Sequence, residues 1–96
     1  MKISVDNNAL KSVCDKKNIT YLGLFGSQTR EDAKEDSDVD ILVDFKYTQS
    51  YFELAKVQQD LEEVFKKKVD LTLKNQIKES LKPYIFKDLV TLYEKR

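Results

Sequence analysis

The sequence predicts an α/β fold, and three observations carry that prediction. Stretches at Ile19–Phe25, residues 38–45 and Val69–Leu73 have the length and the apolar pattern of strands. Between the second and third of these, apolar residues from Tyr51 to Phe65 recur at helical spacing. Before the first, Ala9, Leu10, Val13 and Cys14 form a second helical stripe. Strand patterns separated by helical ones imply a central sheet, here of about four strands, with helices mainly on one face and a candidate site on the other.

Taken in order, Asp6 or Asn7 can cap a first helix that runs to about Lys17. The apolar run Tyr21, Leu22, Leu24 and Phe25 suits a buried strand, and Gly26 ends it where the backbone must turn sharply. Ser27 is a natural N-cap for a short helix over residues 27–32, and residues 33–37 make an acidic loop. In the next strand Val39, Ile41, Val43 and Phe45 share one face, while Asp38, Asp40, Leu42 and Asp44 share the other. Ser50 to Glu53 form a capping box, and Leu54, Val57, Leu61 and Val64 continue the helical stripe to Phe65. The third strand buries Val69, Leu71 and Leu73 and turns Asp70 and Thr72 to the other face.

Asn75 can cap a helix over residues 77–81. Pro83 then needs a place, because a proline inside a helix costs ~3 kcal/mol. A new N-cap at Ser80 puts Pro83 in a first turn, where its missing N–H has no partner to lose. Tyr84, Ile85 and Leu89 would then face the core. Residues 90–93 have strand composition and are expected at a sheet edge, with 94–96 as a tail. No repeat or linker divides the chain, so residues 1–96 are expected to form a single domain. A domain of this size buries about 60–65% of its unfolded surface.

The chemistry concentrates between the first two strands. A strand, a Gly26-Ser27 corner and a helix N-terminus together present N–H groups and a hydroxyl to an anion, and Arg30 adds a fixed positive charge. Asp38 and Asp40 then point the same way about 7 Å apart at Cα, a separation that lets two carboxylates converge on hard cations. Phosphate donors beside Mg²⁺ ligands imply a nucleotide. A solvated face is the ordinary reading of two alternate Asp, but it explains poorly an acidic face on an otherwise apolar strand directly after an anion loop.

Composition removes other classes. Lys plus Arg equals Asp plus Glu at 17 each, so no bulk charge favours nucleic acid. The middle of the chain is acidic and its end basic. With His absent, a His base, a Ser-His-Asp triad and a His-ligated metal are excluded, and carboxylates must carry the chemistry. Cys14 stands alone on an apolar helical face and is expected in the core. No apolar run approaches the ~20 residues of a membrane span, and no signal peptide is visible, so a cytoplasmic location without membrane contact is expected. Of Tyr47, Tyr51, Tyr84 and Tyr93, most are expected to pack inside, and Tyr47 is the best candidate for an exposed stacking contact.

Gly26-Ser27, Arg30, Ser37, Asp38 and Asp40 resemble the signature of the nucleotidyltransferase superfamily. The short chain and the uninterrupted gap between Gly-Ser and Asp-x-Asp most resemble its minimal nucleotidyltransferase (MNT) branch, which includes antitoxins paired with HEPN-domain toxins. One departure is visible: Glu31 stands where members often carry a second Gly after the Arg.

The resemblance implies the nucleotidyltransferase fold with a mixed sheet. It also makes Asp70 the third member of a catalytic, metal-holding triad with Asp38 and Asp40. Two Mg²⁺ ions would be the cofactors and ATP the substrate, with Gly26, Ser27, Arg30 and Ser37 at the nucleotide. The acceptor would be a tyrosine of a cognate HEPN ribonuclease toxin, silenced by AMP transfer. Two rival expectations are an antitoxin that blocks its toxin by contact alone and a transferase acting on a small molecule such as an aminoglycoside. Intact carboxylates at 38, 40 and 70 oppose the first, for which Glu31 speaks; the second is opposed by the lack of length for a substrate domain.

Overall fold

The structure, a computed structural model, describes residues 5–26 and 38–95. In chain order these form helix α1 (Asn7–Lys16), strands β1 (Ile19–Phe25) and β2 (Val39–Phe45), helix α2 (Tyr51–Phe65), strand β3 (Val69–Leu73), helix α3 (Lys82–Lys87) and strand β4 (Val90–Glu94). The strands make one four-stranded sheet in the order β3-β2-β1-β4. β1 runs antiparallel to β2 and to β4, whereas β2 and β3 are parallel, so the sheet is mixed. α2 is the crossover that a parallel pair requires.

Side-chain caps start both long helices. The Asp6 carboxylate accepts the N–H of Asn8 at 3.0 Å and of Ala9 at 3.2 Å, which makes Asp6 the cap of α1. Ser50 accepts the N–H of Glu53 at 3.1 Å at the start of α2. The helix ends at Lys66, which sits in the left-handed region with φ 58°. Leu10 and Cys14 of α1 and Val57, Leu61 and Phe65 of α2 pack onto Leu22, Leu24, Val39, Ile41 and Val43, forming the main core on one face of the sheet. Burial there pushes the Cys14 thiol up to about 12, so it stays protonated and inert.

The opposite face carries a smaller apolar cluster of Tyr21, Leu42 and Ile85, flanked by Phe25, Ile77 and Leu89. α3 and the segment before it therefore cover part of the face that bears Asp40. A Cβ at Gly23 would lie 2.7 Å from Leu89 Cδ1 and 2.8 Å from the Tyr21 hydroxyl, so a larger residue there would shift both side chains.

Here the structure departs from expectation. Residues 77–81 are not a helix capped by Asn75. Single 3₁₀ turns occupy Lys74–Gln76 and Glu79–Leu81, and Ile77 is extended between them (φ −73°, ψ 128°). Packing of Ile77 on the small cluster overrides the weak local helix pattern. Ser80 is not the new cap: α3 begins at Lys82 after Leu81, without a side-chain cap bond, although Pro83 does fall in its first turn.

Tyr84 is also misplaced by the sequence pattern, being 76% exposed. α3 has only six residues, and Ile85 alone among them is buried. Tyr51 is exposed as well, against the expectation of core packing, while Tyr47 is exposed as expected. Tyr93 is half-buried and donates its hydroxyl to Asp15 at 3.1 Å. β4 forms the expected edge strand. Among the described residues no helix is long and apolar enough to cross a membrane.

Candidate active site

Strand alternation turns Asp40 away from the main core, onto the face it shares with Leu42. In the sheet register Asp40 is opposite Phe25 of β1 on one side and beside Asp70 of β3 on the other. Register partners on parallel strands face the same way, and adjacent strands lie about 4.8 Å apart, so these two carboxylates are neighbours. Asp38 is two residues before Asp40, at the mouth of β2, and is exposed like Asp70, while Asp40 is half-buried.

The charges interact. The Asp40 carboxyl is held above the ordinary carboxylate value, first by burial, then by the negative charge of Asp70 and then by that of Asp38. All three expected carboxylates thus act on one point. Among the described residues, no three His, Cys, Asp or Glu side chains form a ready-made metal cage. Mg²⁺ takes oxygen donors, is commonly bound through one or two carboxylates, and completes its shell with water and substrate phosphate. The donor set here consists only of carboxylate oxygen, and a cation would relieve the repulsion that raises Asp40.

Gly26 ends β1 in a conformation with φ +80°, where an L side chain is strained, and a Cβ there would overlap the carboxylate of Asp40. The expected start of the phosphate loop and the first carboxylate strand therefore meet at these two residues. Ser27, Arg30, Glu31 and Ser37 lie outside the described residues.

Around this centre lies a cleft of about 410 Å³. Phe25, Asp40, Asp70 and Thr72 come from the sheet, and Gln76, Ile77, Lys78, Leu81, Tyr84 and Ile85 from the segment that follows β3. The cleft thus opposes an acidic side to an apolar and aromatic one. Tyr84 is its exposed aromatic group; Tyr47 lies outside it, in a smaller polar pocket that adjoins the cleft at Gln76. Sequence reasoning missed Tyr84 and Leu81 as cleft residues.

The sequence family described as polymerase beta, nucleotidyltransferase, matches residues 8–96. The protein adenylyltransferase MntA of Thermococcus cleftensis is 35% identical over 80 residues, which cover 83% of this chain and 81% of that protein. A candidate protein adenylyltransferase of Methanocaldococcus jannaschii is 39% identical over 75 residues, or 78% of this chain and 81% of its own.

Among solved structures, a toxin–antitoxin complex with AMP-PNP contains a chain that superposes with a TM-score of 0.76 at 19% identity, over 96% of this chain and 76% of that one. A tri-AMPylated Shewanella oneidensis HEPN toxin in complex with an MNT antitoxin gives a TM-score of 0.67 at 19% identity, over 93% of this chain and 70% of the other. At such identities these are likenesses of fold.

Proposed function

The chain belongs to the polymerase beta nucleotidyltransferase family, and on that premise we propose that it transfers AMP from ATP to a tyrosine hydroxyl of a HEPN-domain toxin and so acts as the toxin's antitoxin. The observation that carries this reading is the placement of Asp40 beside Asp70 on parallel strands, with Gly26 directly against Asp40. Relatives named protein adenylyltransferases support the reaction, and the fold shared with an MNT antitoxin bound to its AMPylated toxin supports the partner.

The residues divide the work as follows. Asp38, Asp40 and Asp70 would hold the metal ions, and Asp70 would also accept the proton of the acceptor hydroxyl. Two Mg²⁺ ions, when bound, neutralise the triphosphate and the charge developing on the attacking and leaving oxygens. Gly26 leaves room for the Asp40 carboxylate, and Gly26, Ser27, Arg30 and Ser37 are assigned to the nucleotide by family resemblance. The acceptor oxygen bonds to the α-phosphorus as the bond from that phosphorus to the pyrophosphate oxygen breaks, and pyrophosphate leaves. Leu81 and Tyr84 give the nucleoside an apolar wall across from the carboxylates.

Correct positioning of an acceptor can account for ~7–11 kcal/mol of a barrier. An open cleft bounded on one side by a short helix holds a small diffusing acceptor poorly. A protein partner brings its own interface, and one of about 800 Å² per side would fix the hydroxyl in line. The test is to incubate the chain with α-labelled ATP, Mg²⁺ and a candidate HEPN partner. Label on the partner, lost when its acceptor tyrosine becomes Phe, supports the proposal. Inhibition of the partner without label, retained by a variant with Asn at positions 38 and 40, sinks it.

A further inference from the structure

β3 is an edge strand, yet the backbone of its first residue is fully engaged. Val39 N–H donates to Lys68 O at 2.8 Å, which places Val39 level with Val69 and turns the N–H and C=O of Val69 away from β2, off the edge of the sheet. Two side chains of α2 take both groups. Glu62 Oε2 accepts the Val69 N–H at 2.9 Å, and Gln58 Nε2 donates to the Val69 carbonyl at 2.9 Å. Gln58 and Glu62 are four residues apart, so they stack on one side of the helix. The helix itself is locked into the core by Val57, Leu61 and Phe65. The next residue of the strand is Asp70.

We propose that Gln58 and Glu62 are positioning residues, which grip the backbone of Val69 from α2 and so fix the height of Asp70 beside Asp40. The inference rests on the reading above in that Asp70 is taken as a metal-holding carboxylate. An ungripped edge strand would satisfy these groups with water and fray at its end. At this strand a second force acts in the same direction, because Asp70 faces a like charge on Asp40. The clamp opposes both from the far side of the sheet without touching the cleft, and Glu62 binds the amide through a charge-assisted hydrogen bond.

The test compares wild type with Glu62→Gln, Glu62→Leu, Gln58→Leu and the Gln58→Leu/Glu62→Leu pair. One readout, taken without ligand, is residue-resolved amide exchange. The other is Mn²⁺ affinity in the presence of AMP-PNP. Loss of the clamp is expected to reduce protection at Val69 and Asp70 while β1 keeps wild-type protection, and to weaken Mn²⁺ binding roughly 10–100-fold. Glu62→Gln, which keeps an acceptor oxygen, should retain most of both properties; if the pair does not fold, the single variants decide. Wild-type protection and affinity in both Leu variants would overturn the proposal. So would an equal loss of protection throughout β1 and β2, which would mean general destabilisation. If wild type itself binds no Mn²⁺, the catalytic reading fails, and the exchange pattern alone judges the clamp.

Discussion

Gly26 and Asp40 meet at the end of the β1–β2 pair: the glycine, at φ +80°, has no side chain to enter the space that the Asp40 carboxylate fills. A side chain at 26 meets two independent obstacles, a left-handed backbone and a filled space. Gly26→Ala is expected to lose about 1–2 kcal/mol from the backbone alone and to displace Asp40. Thermal unfolding should show the loss, and calorimetry with Mg²⁺ and ATP should show binding reduced well beyond what that destabilisation explains.

The charge on Asp40 makes the metal-free protein sensitive to pH. Its pKa in the fold lies above the ordinary 3.8, so the protonated form favours folding. The stability this group contributes is complete below that ordinary value and is lost as pH rises through the raised one. Asp40→Asn is therefore expected to be more stable than wild type at neutral pH in EDTA. The advantage should vanish near about pH 3, where Asp is protonated in both states. Urea titrations at the two pH values provide the comparison.

Nucleotide binding should depend on a divalent cation, since the carboxylates at 38, 40 and 70 repel a bare triphosphate. ATP titrated with Mg²⁺ is expected to give heat, and ATP titrated with EDTA none. Replacing Asp38 and Asp40 together by Asn should abolish transfer and leave stability within about 0.5 kcal/mol of wild type or above it, because neither side chain belongs to the main core. Unfolding of this variant would make the two carboxylates structural.

Tyr84 separates binding from folding. At 76% exposure its removal should change stability by less than about 0.5 kcal/mol. If its ring stacks on the nucleobase, Tyr84→Ala should weaken ATP by roughly 1–3 kcal/mol, and Tyr84→Phe should restore it. Equal ATP affinity in all three proteins would remove the aromatic wall from the site.

The elements that could be read from the sequence are those with a long, uninterrupted pattern. Asp6, the strands around Leu22, Ile41 and Leu71, and the Ser50 cap with its Val57 and Leu61 stripe all fall where their spacing predicts. The segment after Leu73 resisted, because Ile77 and Ile85 are buried by a tertiary contact across the sheet and not by a local period. The carboxylate face of β2 was legible in its alternation. The adjacency of Asp40 and Asp70 was not, because it depends on the parallel register of two strands separated by a helix, and only family resemblance suggested it. Gln58 and Glu62 gave no signal, since a polar residue on the side of a helix looks the same whether it meets water or a strand edge.

Asp40 and Asp70 belong to one continuous unit, β2-α2-β3, with Asp38 directly before it, and the two meet only when its parallel strands close. Closure must wait for the intervening helix to dock, and in the absence of a cation it is resisted by like charge. On the proposed reading, a bound divalent ion would join the two strands after they have met. Its effect should therefore fall on the rate of unfolding more than on the rate of folding, so that occupancy of the site sets the lifetime of the native sheet.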